Sequence, residues 1–209
     1  MLSKLSKIVV SILNYFKYNL IRTYFLKNLH FKSKIDLVYI NQELKKYKIN
    51  PKKLKYTDFL KGEKKEFTSQ KLKIIESRLN SQNYIALGEI KNNILAYSTW
   101  ISLKETKIPI INKTYLIPKD HAFLEDSYCH SNYRGLGLHK GYNLYRIKKI
   151  MEIGRIFVNV FVFSNNIPAI KVQKSSGLTV KDIFIVGRLF GFNYHLQSSS
   201  IFYKILNLI

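Results

Sequence analysis

The chain has 209 residues, 46% hydrophobic and 14% aromatic, which suits one domain with a packed core and excludes global disorder. Its single cysteine, Cys129, excludes an intrachain disulfide and fits a reducing compartment. The formal net charge of +22 calls for a polyanion, either nucleic acid or an anionic membrane face, unless it is spread over solvated faces of a chain rich in Lys, Asn, Ile and Tyr.

The first 33 residues carry Lys4, Lys7, Lys17, Arg22, Lys27 and Lys32, with no acid before Asp36. Leu2, Leu5, Val9, Ile12, Phe16 and Leu20 recur at three- and four-residue steps, which predicts a basic amphipathic helix over residues 1–33. Its uncharged run, Ile8 to Phe16, is far short of the roughly 20 residues that span a bilayer. No small-residue cleavage site follows it, so a helix lying on an anionic leaflet is the expectation, against packing on its own domain or on a second subunit.

Residues 34–209 are expected to form the folded domain. Asp36 to Ile40 reads as a short strand, Asn50-Pro51 as a break, Thr57-Asp58 as a helix start and Gly62 as its end. Ser69 to Leu79 reads as an amphipathic helix on Leu72, Ile75 and Leu79. Tyr84 to Leu87 and Ile94 to Leu103 flank a polar turn at Lys91-Asn92-Asn93 and predict a hairpin. His121 to His130 is a further strand. Leu138 to Ile153 is a helix with Gly154 as its cap, Arg155 to Phe163 a strand, Pro168 the start of a helix ending before Gly177, and Val180 to Phe190 one or two strands. The strand–helix–strand crossover implies a parallel pair in an otherwise antiparallel sheet.

Between His121 and Leu138 lies the densest chemical signal. A strand runs into Arg134-Gly135-Leu136-Gly137-Leu138-His139 and then into a helix. Helix-start N–H groups lack intrahelical partners and favour an anion, and glycines let a diphosphate approach those amides. Glycines needed only for a tight turn would look the same. A dinucleotide fingerprint would need a third glycine and a later acidic strand end, and neither is present.

The stretch from Ala122 to Leu138 resembles the fourth strand and acyl-CoA loop of the GNAT N-acetyltransferase superfamily, whose Arg/Gln-x-x-Gly-x-Gly/Ala pattern falls on Arg134, Gly137 and His139. Asn166-Ile167-Pro168-Ala169 and Gly177-Leu178 are similar to later blocks of that family, and the 84–103 hairpin to its second and third strands. The resemblance implies an α+β fold in α/β/α layers, with a mixed, mostly antiparallel sheet around a central parallel pair. It implies an N-acyltransferase that moves an acetyl group from acetyl-CoA to a primary amine without a covalent intermediate, and no metal.

On the same resemblance, Arg134, Gly135, Leu136, Gly137, Leu138 and His139 hold the pyrophosphate, Cys129 lies beside the thioester, and Asn166 faces the pantetheine arm. Asp126 anchors or polarises the acceptor and Glu125 is the alternative base, the two pointing to opposite strand faces. Tyr128 is a proton source for the thiolate. His121 and His130 are further candidates, Trp100 and Tyr97 candidate acceptor-pocket walls. Two positions depart from the pattern: His139 replaces a small residue, where a protonated imidazole would add charge to the site, and Gln173 stands where a tyrosine acid is usual.

The expected acceptor is a small amine, such as an amino sugar in bacterial surface-polysaccharide assembly. The expected place is cytoplasmic and peripheral to the inner membrane face, with a homodimer as one option. The rival readings are a long-chain acyltransferase fed by acyl carrier protein, a non-catalytic acyl-CoA-binding module and, on charge alone, a nucleic-acid binder without a recognisable motif.

Overall fold

The computed structural model describes residues 24–108, 113–189 and 192–199. Eight strands form one sheet. In chain order, β1 is Tyr24–Lys34, β2 Lys52–Lys53, β3 Tyr84–Lys91, β4 Ile94–Ser102, β7 His121–Cys129, β8 Phe157–Phe163, β9 Val180–Leu189 and β10 Phe192–Ser199. A separate hairpin pairs β5, Glu105–Ile108, with β6, Lys113–Leu116. The helices are α1 Leu37–Leu44, α2 Tyr56–Phe59, α3 Ser69–Leu79, α4 Leu138–Glu152 and α5 Ile167–Ser175.

The sheet order is β10-β9-β1-β8-β7-β4-β3-β2, and every pairing is antiparallel except β7 with β8. That parallel pair brackets α4, as the crossover pattern predicts. The alternation of strand side chains sorts two cores onto opposite faces. On one face Leu87, Ile101, Leu124 and Val160 pack with Ile40 of α1 and with Leu144, Ile147 and Ile150 of α4. On the other, Ala86, Leu95 and Trp100 pack with Phe59 of α2 and Ile75 of α3. The result is the expected three-layer α+β arrangement.

Several elements form for the local reasons read above. Thr68 Oγ1 accepts from the Lys71 N–H and starts α3. Asn92 and Asn93 take positive φ in the β3–β4 turn, a conformation asparagine tolerates. Gly154 follows α4 with φ 81°.

Two expectations change. Asp36 to Ile40 is not a strand: the Asp36 carboxylate accepts from the Tyr39 N–H and caps α1, and this capping outweighs the β propensity of Leu-Val-Tyr-Ile. Residues 24–33, expected to belong to a helix over residues 1–33, are part of β1, an interior strand held between β8 and β9. Those partners lie more than a hundred residues away, beyond the reach of any local periodicity. Residues 1–23, which carry the apolar stripe from Leu2 to Leu20, lie outside the described residues. The α4 helix is buried around more than one stripe: besides Leu138 and Tyr142 it encloses Asn143 and Arg146, while Ile153 just beyond its end is exposed. Among the described residues, no helix is long and apolar enough to cross a membrane.

Candidate active site

The parallel β7–β8 ladder covers only His121, Ala122 and Phe123 against Phe157, Val158 and Asn159. Beyond those pairs the two strands part, and a cleft of about 490 Å³ opens between them. Glu125, Asp126 and Ser127 of β7, Val160 to Phe163 of β8, His139 and Arg146 of α4, and Asn166 and Gln173 of α5 lie along it. Strand backbone left unpaired in such a gap can bond an extended ligand.

At one end stands the glycine loop. Gly135 and Gly137 have φ of 79° and 75°, so both are needed for the turn itself as well as for access. Gly137 is the N-cap of α4, and no acid occupies the first turn, so the N–H groups of Leu138, His139 and Lys140 lack intrahelical partners and stand at the positive end of the helix dipole. A Cβ at Gly135 would stand in open space, whereas one at Gly137 would come within 3.2 Å of the Tyr47 ring. Arg134 is exposed and Leu136 is 63% exposed, which leaves the loop accessible to a large anion. Asn166 spends its side-chain oxygen on the Ala169 N–H as the cap of α5 while still facing the cleft.

His139 is half-buried on the cleft wall. Burial, with the Arg146 cation nearby, pulls its pKa down to about 4, so the ring is neutral at neutral pH and adds no charge to the loop. Because the folded value lies below the ordinary 6.5, the contribution of neutral His139 to stability is complete above about 6.5 and is lost as pH falls toward about 4. His139→Gln should therefore flatten the acid side of the stability–pH curve in that window, read by thermal unfolding. Parallel curves for the two proteins would refute this.

The acidic pair is arranged differently from the alternation rule. The β4–β7 register slips between Ser98 and Trp100, and Asp126 takes φ 42° in the resulting bulge. One extra residue there cancels the face switch, so Glu125 and Asp126 both reach Arg78 of α3, at 2.9 Å from Nη2 and 3.3 Å from Nη1. Lys71 Nζ adds a 3.2 Å contact to Asp126, and the Ser102 hydroxyl donates to Glu125 Oε1. The carboxylates thus share one mouth of the cleft with two cations that no sequence motif signalled. Their signal was only the i, i+7 spacing of Lys71 and Arg78 on one helical face.

Tyr128 and Cys129 do not line the cleft. The Tyr128 hydroxyl donates to Glu63 Oε2 at 3.1 Å and accepts from the Glu63 N–H at 3.2 Å, and burial beside that carboxylate pushes its pKa up to about 12. Tyr128→Phe should cost about 1 kcal/mol of stability and little turnover; a large loss of turnover would put the phenol back into the chemistry. Burial raises the Cys129 thiol, so it is not an activated nucleophile. Trp100 stacks on Phe59 and Tyr97 on Tyr142, both inside the core rather than on an acceptor pocket. His121 is bonded to Asn159 near the closed end of the strand pair, and His130 caps the turn at Asn132.

No family model matches the sequence, and no curated protein matches it. Solved structures do match. An acetyltransferase of the GNAT family from Colwellia psychrerythraea aligns over 80% of this chain with a TM-score of 0.56 at 16% identity. A Drosophila protein aligns over 90% with 0.53 at 10% identity, and a protein described as a GNAT-family acetyltransferase from Novosphingobium aromaticivorans over 78% with 0.50 at 14% identity. The chain has the GNAT acyltransferase fold. It spans 57% of the first two of these proteins and 64% of the third. Within the GNAT fold, the open β7–β8 pair, the acids at the bulge and His139 at the end of the glycine loop line one cleft.

Proposed function

We propose that this chain transfers an acyl group, acetyl in the simplest case, from acyl-CoA to a primary amine. The carrying observation is the split β7–β8 cleft, with the Arg134–His139 loop at one end and the Glu125–Asp126 pair at the other. The diphosphate would lie on the N–H groups that open α4, and the pantetheine arm along the unpaired backbone of β7. The acceptor ammonium would be held at Asp126 and lose its proton to Glu125 before attack on the thioester carbon. As the C–N bond forms, the C–S bond breaks and the thiolate leaves. Isothermal titration with coenzyme A, followed by turnover of acetyl-CoA against a panel of small amines, tests the proposal. No heat of binding would overturn it.

An amino sugar near an anionic leaflet is the acceptor class favoured by the net charge of +22 and the basic stripe in residues 1–23. Since β1 is part of the sheet, the informative truncation removes residues 1–23 and leaves Tyr24 onward intact. The truncated chain should lose binding to phosphatidylglycerol vesicles and keep coenzyme A binding. Unchanged vesicle binding would sink the leaflet role.

A further inference from the structure

Arg146 of α4 is 1% exposed and lines the cleft. All its partners are neutral. Nη1 donates to the carbonyls of Trp100 at 3.3 Å and Glu125 at 3.2 Å, Nη2 donates to Asn143 Oδ1 at 2.8 Å, and Nε–H has no partner. Asn143 in turn donates to Gln173 Oε1 at 3.1 Å, which clamps the guanidinium from behind.

The other charges facing the cleft are accounted for. Glu125 and Asp126 are matched by Arg78 and Lys71, and Lys107 is exposed at the mouth. Neighbouring His139 is neutral at neutral pH, and burial raises the Tyr97 phenol, which stays protonated. Burial draws Arg146 down to about 10, which leaves it charged at neutral pH. A desolvated cation is costly when its nearest carboxylate, Glu125, is already bonded to Arg78 and Ser102, so the site favours a further anion in the cleft.

Acyl transfer creates one such anion in the cleft, and here the inference rests on the reading above. When the amine adds and the C–S bond breaks, sulfur takes the electron pair, while the second amine proton leaves through Glu125, which has already passed the first to solvent. We infer that Arg146 stabilises the departing coenzyme A thiolate through the fixed charge it holds on the cleft wall. Neither Gln173 nor Tyr128 is placed to protonate that sulfur: one has no acidic proton, and the other is bonded to Glu63 outside the cleft. A thiolate is a diffuse anion that asks for little hydrogen bonding, so a fixed charge in a low-dielectric site suits it. The leaving group then needs no acid.

The test titrates the thiol of bound coenzyme A through the ultraviolet absorbance of its thiolate. In the wild-type protein the bound thiol should ionise at least ~1 pH unit below the free thiol, a shift of about tenfold in its equilibrium. Asn143→Asp sets a carboxylate of the same shape against Nη2 and neutralises the site without emptying it. It should return the thiol to its free value and lower acetyl transfer about tenfold or more, with affinity for coenzyme A at acid pH unchanged. Arg146→Met should do the same, and Asn143→Asp keeps the test valid if that variant fails to fold. An unshifted thiol in the wild type, or the same shift in Asn143→Asp, overturns the inference. So does an unshifted thiol together with a preference for succinyl-CoA over acetyl-CoA, which would make Arg146 a receptor for an acyl carboxylate. Absence of any coenzyme A binding would instead overturn the acyltransferase reading on which the inference stands.

Discussion

Gly135→Val is expected to weaken coenzyme A binding about tenfold or more while the protein stays folded. The valine Cβ meets nothing within 4 Å, so the new side chain projects into the space where the diphosphate would lie. The backbone there has φ 79°, which for a residue with a Cβ costs about 1–2 kcal/mol. A chain of this size should then melt roughly 2–8 °C lower. Gly137→Val is a less clean test, because its Cβ would also press on the Tyr47 ring at 3.2 Å and disturb the contact between α4 and the segment after α1. Titration calorimetry on the Gly135 variant, beside its melting curve, separates loss of the cradle from loss of fold. Full coenzyme A affinity in that variant would remove the loop from the binding site.

Glu125→Gln should lower turnover by about 10² or more while binding of coenzyme A persists. The side chain is 9% exposed and is held by Arg78 and Ser102, so its position is set by partners that a glutamine amide satisfies only in part. A stability loss of about 1–2 kcal/mol should accompany the change, from one weakened charge-assisted bond. Asp126→Asn should act differently. Its side chain is 33% exposed and shares both cations, so the expected effect is a raised KM for the amine with a smaller change in kcat. Steady-state kinetics checks both, and an undiminished kcat in Glu125→Gln would refute its role as base. Replacing Arg78 would disturb both carboxylates together, so single changes at the acids are the informative ones.

Much of the fold was legible because local chemistry agreed with it. The α3 helix, the β3–β4 hairpin, β7, α4 and α5 lie where their apolar periodicity, caps and glycines predicted them, and the parallel β7–β8 pair followed from the crossover pattern. Misreadings came where a distant partner or one side chain outweighed propensity. β1 is a strand because β8 and β9 flank it, and α1 is a helix because Asp36 caps it. The site was legible as a list of residues but not as an arrangement. The bulge at Asp126 carries two carboxylates to one cation, and nothing in Leu-Glu-Asp-Ser-Tyr announces a bulge.

Composition, spacing and turn chemistry alone determined the order of strands and helices from α3 to β9, apart from the β5–β6 hairpin, and the loop that opens α4, because those depend on neighbours within a few residues. The place of β1 between β8 and β9, the separation of β7 from β8, the removal of Tyr128 and Cys129 from the cleft and the burial of Arg146 among neutral hydrogen-bond partners were decided only by the tertiary structure. Each depends on contacts between segments far apart in the chain, whose free energy exceeds local preference and leaves no period in the sequence.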